Sequence, residues 1–174
     1  LASCGSNEEE IKEEERYDVS ETVNPTDTIM CLRADMKPLN GIVFCEFGDI
    51  GKYVNGKEEG VQKGWFENGQ LQSESNYKDG KQEGVQKWWY ENGELESEDN
   101  YKDGKQEGVQ KSWHENGQLQ SESNYKDGKQ EGVQKWWYEN GELESEDNYK
   151  DGLINNPTVN MNGREVSTVK VGNL

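Results

Sequence analysis

The sequence predicts an all-β protein, an extended antiparallel β-meander of tandem 24-residue hairpins forming a largely single-layer, twisted sheet. Three observations carry that reading. Gly60, Gly84, Gly108 and Gly132 lie 24 residues apart and open near-identical phrases, GVQKGWFENGQLQSESNYKDGKQE in the first copy and GVQKWWYENGELESEDNYKDGKQE in the second. Each copy holds two turn dipeptides, Asn-Gly and Asp-Gly, and these favour hairpins rather than helices. Hydrophobic residues are only 29% of the 174, too few for a large core, yet 6 Trp and 8 Tyr are too many for a solvated acidic coil.

The N-terminal stretch, residues 1–27, reads as a solvated tether. Residues 1–35 carry three Lys+Arg against ten Asp+Glu, with the run Glu8-Glu9-Glu10-Ile11-Lys12-Glu13-Glu14-Glu15 at its centre. Residues 28–59 form an N-terminal cap and a degenerate first repeat, in which Asn55-Gly56 marks a hairpin turn.

Residues 60–152 are the array proper. Asn68-Gly69, Asn92-Gly93, Asn116-Gly117 and Asn140-Gly141 alternate with Asp79-Gly80, Asp103-Gly104, Asp127-Gly128 and Asp151-Gly152. Both dipeptides are expected to make two-residue turns with positive φ. A glycine pair every dozen residues would interrupt any helical pattern. A two-residue turn at Asn92-Gly93 puts Tyr90 opposite Leu95, Trp88 opposite Ser97 and Lys87 opposite Glu98. One face then holds Trp88, Tyr90, Leu95 and Tyr101, and the other Val85, Trp89 and the Lys87/Glu98 pair. Opposite charges meet again at Lys63/Glu74, Lys111/Glu122 and Lys135/Glu146, which fixes the register. Residues 60–104 and 108–152 differ at two of 45 positions, Gly64/Ser112 and Phe66/His114, so a 48-residue unit is duplicated. Residues 153–174 break the pattern and are expected to cap the array, with Arg164 to Val171 as a closing strand.

The phrase W-Y/F-E-N-G-x-L-x-S-E-x-N-Y-K-D-G-K-x-E-G resembles the bacterial MORN-variant repeat over residues 60–152. That resemblance implies a non-enzymatic repeat protein. It also brings the antitoxin label of the YwqK-type family and, through related eukaryotic repeats, links to scaffolding and anionic lipids. Leu1-Ala2-Ser3-Cys4 is similar to a bacterial lipoprotein lipobox, which would make Cys4 the lipidated residue. The protein would then sit at the bacterial cell envelope, at the outer membrane or cell surface.

Composition narrows the partners. The formal net charge is -17 and the pI near 4.4, which opposes binding to nucleic acid or to anionic membrane surfaces. Membrane contact is therefore expected only through a lipid anchor. No catalytic arrangement can be assembled around a single histidine, His114, which fills an aromatic sheet position. No cofactor is expected. Cys31 and Cys45 flank Pro38 and could form a disulfide across a hairpin in an oxidising compartment, or stand as small buried residues. Two thiols without a nearby histidine do not make a zinc site. The carboxylates Glu94, Glu96, Glu98 and Asp99 alternate along a strand rather than converge, so calcium is disfavoured.

The tryptophans Trp65, Trp88, Trp89, Trp113, Trp136 and Trp137 are the candidate partner-binding residues, with a purely structural role as the competing account. The leading expectation is an acidic sheet surface for protein–protein interaction. The alternatives are an antitoxin or immunity protein, and a glycan or cell-wall binder using the aromatic stripes.

Overall fold

A computed structural model describes residues 14–23 and 30–157. The strands are β1 (Arg16–Asp18), β2 (Thr22–Val23), β3 (Cys31–Leu32), β4 (Gly41–Cys45), β5 (Gly48–Val54), β6 (Lys57–Trp65), β7 (Leu71–Lys78) and β8 (Lys81–Trp89). The second half of the array adds β9 (Leu95–Lys102), β10 (Lys105–Gln106), β11 (Gly108–Trp113), β12 (Leu119–Lys126), β13 (Lys129–Gln130), β14 (Gly132–Trp137), β15 (Leu143–Lys150) and β16 (Leu153–Pro157). Among the described residues, fourteen of these form one sheet that runs in chain order from β4 to β16. The hairpin meander expected from the sequence is the fold.

Two features at the N-terminal end differ from expectation. Residues 16–23, which the sequence places in the tether, are structured: β1 pairs parallel with β4, and a 3-10 turn at Val19–Glu21 leads into the small β2–β3 sheet. Arg16 anchors β1 through an ion pair with Asp49 and stacks over Phe44 at 5.4 Å. The apolar core lies here too: Leu39, Val43 and Tyr53 are buried, with Tyr17, Met30, Leu32 and Ile50 packed against them. Burial, and then the Glu58 charge, push the Tyr53 hydroxyl up to about 12. Cys31 and Cys45 do not face each other across a hairpin. Cys31 pairs with Val23 and bridges to Pro38, Cys45 pairs with Gly48, and no bond joins their sulfurs. The expected closing strand from Arg164 lies outside the described residues.

The two turn types are not alike. Asp79, Asp103, Asp127 and Asp151 have φ of 50–53°, and each following glycine is also positive, which makes the tight two-residue turn of a hairpin. At Asn92-Gly93 only the glycine is positive, at 86°. There the Gly93 N–H donates to the Tyr90 carbonyl and the Tyr90 N–H to the Glu94 carbonyl, enclosing a three-residue loop. Trp89, not Tyr90, therefore approaches the position opposite Leu95. Glu96 is then left over as a bulge, and Trp88/Ser97 and Lys87/Glu98 regain the expected register. Leu95 thus joins the Trp89 face.

The cross-strand charges extend further than single hairpins. Each lysine also lies opposite the glutamate of the preceding repeat: Glu74 faces Lys87, Glu98 faces Lys111 and Glu122 faces Lys135. The result is an unbroken alternating row from Lys63 to Glu146, with Nζ–carboxylate distances of 3.2–3.3 Å at its three closed pairs. Each exposed pair contributes at most about 1 kcal/mol, but a one-residue slip would lose the whole row.

Buried glutamines replace an aliphatic core within the array. Among the described residues from 60 onward, the buried side chains are Gln62, Gln86, Gln110 and Gln134. Gln86, Gln110 and Gln134 sit beside a bulge in the hairpins of Asp79-Gly80, Asp103-Gly104 and Asp127-Gly128, and Gln62 beside the one in the Asn55-Gly56 hairpin. Tyr77 lies opposite Gln82 and Ser75 opposite Gln86, so four steps on one strand match two on the other. Gly84, at φ 76°, lets the chain loop out there.

Candidate functional site

The alternation of turns gives the sheet two unlike long rims. The four three-residue Asn-Gly loops lie along one rim, and the four Asp-Gly turns with the tight Asn55-Gly56 turn lie along the other, because successive hairpins point in opposite directions. The four segments 66–73, 90–97, 114–121 and 138–145 contain no lysine or arginine. They carry Glu67, Glu91, Glu94, Glu96, Glu115, Glu139, Glu142 and Glu144, all exposed. The opposite rim bears Lys78, Lys81, Lys102, Lys105, Lys126, Lys129 and Lys150 beside its aspartates. Charge is thus segregated: one rim is purely acidic, the other mixed.

Both rims are braced from repeat to repeat. On the acidic side the Tyr90 hydroxyl donates to the Trp113 carbonyl at 2.8 Å, and the Asn116 amide donates to the Glu139 carbonyl at 2.9 Å. His114 Nε2 lies 2.9 Å from the Trp137 carbonyl. A carbonyl can only accept, so that nitrogen carries the proton and the ring does what Tyr90 does one repeat earlier. On the other side the backbone N–H groups of Asp79, Asp103, Asp127 and Asp151 donate to Glu59, Glu83, Glu107 and Glu131 at 2.8–3.0 Å. Those four carboxylates are structural.

The tryptophans fall into two rows, and all six are half-buried. Trp65, Trp89, Trp113 and Trp137 each lie opposite a leucine beside the acidic rim. Trp88 and Trp136 lie on the opposite face in a row otherwise made of Gly64 and serines, flanked by Ser73 and Ser97, and by Ser121 and Ser145. The carboxylates Glu94, Glu96, Glu98 and Asp99 do not converge. Glu94 and Glu96 stand on the rim, Glu98 pairs with Lys87, and Asp99 turns to the other face opposite Gln86. Burial raises the Asp99 carboxyl above its ordinary value. Among the described residues no group of three or more His, Cys, Asp or Glu is placed to hold a metal ion. Cys4 lies outside the described residues.

Sequence reasoning passed over one feature, an open cleft of about 470 Å³ where the acidic rim meets the N-terminal cap. Val19, Cys45, Phe47, Ile50 and Trp65 supply its apolar walls, Asp18 and Glu46 its carboxylates, Lys63 its cation and Gly64 part of its floor.

A comparison with curated proteins gives no match. The MORN repeat variant matches four times, at residues 58–79, 82–103, 106–127 and 130–151. Each match runs from the strand entering one Asn-Gly loop to the aspartate of the next Asp-Gly turn, so the family signature and the observed hairpin coincide. Half of the 174-residue chain carries that signature, and the chain belongs to the MORN repeat variant family, a non-catalytic repeat family.

Proposed function

We propose that the protein is a non-enzymatic interaction module whose acidic rim receives a protein partner, and that lipid on Cys4 holds it at the bacterial cell envelope. The observation that carries the first part is the cation-free row of exposed glutamates on one rim of a braced sheet. Single exposed charges bind weakly, but a long row of one sign steers a basic partner and sets its orientation. MORN repeats commonly serve as interaction modules, which agrees with this use. The motif Leu1-Ala2-Ser3-Cys4 followed by a polar acidic stretch supports the second part, since two chains on one cysteine suffice for stable anchoring.

The test of the rim compares the full chain with a Glu91→Gln, Glu115→Gln, Glu139→Gln variant in cross-linked affinity capture from envelope extracts. A variant neutralising Lys78, Lys102 and Lys126 serves as control. Capture of one partner that weakens with salt and is lost only in the glutamate variant is expected. Equal capture by all three proteins would end the rim reading. Mass spectrometry of the envelope-purified protein is expected to show an acylated Cys4 at its N-terminus, and an unmodified cysteine there would remove the anchor.

A further inference from the structure

We infer that the face of the sheet bearing Trp88 and Trp136 binds a neutral polysaccharide chain of β-linked pyranoses, which crosses the strands and stacks a sugar on each ring. The inference is independent of the acidic rim, because it concerns a face that the charge row does not share.

Register builds the site. Trp88 pairs with Ser97, Ser97 with Ser112, Ser112 with Ser121 and Ser121 with Trp136, so these residues stand in one row across the strands, on one face. Four strand spacings of about 4.8 Å put the rings about 19 Å apart, a span that roughly four linked hexoses cover. Gly64 and Ser112 hold the same position in the other two copies. Each 48-residue unit therefore supplies one ring, and small residues form the floor between the rings. Gln86 and Gln134, two residues from the rings on the same face, are 0% exposed. Gln62 and Gln110, which have Gly64 and Ser112 there instead, are 8% and 5% exposed. The rings thus lean over the glutamines and, being only half-buried, offer their outer surface to a ligand.

The chemistry of the face selects its occupant. The lysines and glutamates of the charge row are next along each strand and so point to the opposite side. From β7 to β15 the paired positions of this face hold serine, glutamine, tyrosine and tryptophan, with Asp99 and Asp147 as the carboxylates and no lysine. A pyranose lays its C–H surface on an aromatic ring and turns its hydroxyls to polar groups at the ring edge. Ser112 donates to the Gln120 side-chain oxygen at 3.1 Å, so Ser121 is the donor in the 2.6 Å contact between the two hydroxyls. The Ser121 lone pairs are left to accept from a ligand hydroxyl.

Other occupants fit less well. A net charge of -17 disfavours chains carrying uronate, sulfate or phosphate. The serines interrupt the apolar surface a lipid would need. The backbone groups beneath them are paired within the sheet, so a peptide cannot add here as a further strand. Twist of roughly 20–25° per strand turns the face by about a quarter turn between the rings. The ligand is therefore a single winding chain and not the flat face of a crystalline polymer.

The test is isothermal titration calorimetry of the full chain with cellohexaose, chitohexaose and mannohexaose, each compared with its disaccharide. At least one hexasaccharide is expected to bind roughly tenfold more tightly than its disaccharide, because it reaches both rings. Trp88→Ser and Trp136→Ser copy Ser112, which sits natively between the same serine neighbours, so the fold is kept. Each should remove the advantage of length, and the double variant should not bind. The Glu91→Gln, Glu115→Gln, Glu139→Gln variant should bind the hexasaccharide as the native chain does.

Absence of binding by all three hexasaccharides overturns the inference, as does retention on crystalline cellulose or chitin alone. Equal affinity for hexasaccharide and disaccharide overturns the span between the rings. Binding that survives the double tryptophan variant, or is lost in the glutamate variant, puts the sugar elsewhere and overturns the site. If the sugars fail while partner capture still depends on the glutamates, this inference falls and the rim reading stands.

Discussion

The Gln110 side-chain oxygen lies 2.7 Å from the Asn100 backbone nitrogen, and its amide nitrogen lies 3.0 Å from the Asn100 carbonyl oxygen. One side chain thereby satisfies both backbone groups at a point where the bulge withdraws the neighbouring strand. Gln134 does the same for Asn124 at 3.1 Å on both sides. The Asn100 carbonyl also accepts from the Glu107 N–H at 2.9 Å, so Gln110→Ala should leave the Asn100 N–H alone without its partner and destabilise by about 1–2 kcal/mol, read as a lowered denaturant midpoint with an unchanged slope. Asp99 has the opposite sign. It occupies the position of Ser75 and Ser123, and burial raises its carboxyl from 3.8. A raised folded-state value means the charged form costs stability above that value, and the cost vanishes below the unfolded one. Asp99→Ser should therefore stabilise at pH 7 by up to about 1 kcal/mol, and the gain should disappear below about pH 4. Thermal denaturation at both pH values checks the sign.

At the scale of the hairpin, the sequence is readable at one turn and misleading at the other. Asp103-Gly104 and Asn92-Gly93 satisfy the same dipeptide rule, yet only the first places both residues at positive φ. The charge pairing does not separate the alternatives. The three-residue loop displaces the register by one and the Glu96 bulge displaces it back, so Lys87 meets Glu98 either way. Leu95, between loop and bulge, is the residue that the dipeptide rule puts on the wrong face. The buried glutamines escape a sequence reading because a polar residue in an acidic chain signals exposure. Only the fixed Gly-Val-Gln phrase hints that a backbone irregularity recurs there. β1 is hidden by the acidic run before it, and the cleft is not legible at all, since residues 18–19, 45–50 and 63–65 meet only in the folded sheet. The bulge offers a clean test. Gly108 has φ 79°, and a Cβ added there would find no heavy atom within 4 Å, so its glycine is required by backbone conformation alone. Gly108→Ala should cost about 1–2 kcal/mol, and Gly108→Asn less, because asparagine enters the left-handed region more readily. Chemical denaturation of the two variants should rank them in that order; equal costs would mean that something other than dihedral strain fixes the glycine.

For the whole molecule, the contacts between repeats are the same at every step, and this makes length a free variable. Deleting residues 84–131 joins Glu83 to Gly132 and recreates the native Glu-Gly-Val-Gln-Lys phrase. Lys135 then takes the place of Lys87 opposite Glu74 and keeps Glu146 as its other neighbour, so the charge row shortens without a break. Trp136 replaces Trp88 beside Ser73, Gln134 replaces Gln86 at the bulge, and the Leu39–Val43–Tyr53 core is untouched. Only nearest-neighbour stacking is lost, so the shortened protein should keep its β-sheet circular dichroism per residue and still unfold cooperatively. Deleting residues 84–95 instead removes half a hairpin, reverses the direction of every later strand and puts acidic loops on the mixed rim. That variant should melt far lower. The 48-residue deletion also removes Glu91, Glu94, Glu96 and Glu115 from the acidic rim, so its affinity for a partner held by the rim should fall as carboxylates are lost. Loss of folding in the 48-residue deletion would mean that the repeats share a single cooperative core, contrary to a sheet held together step by step.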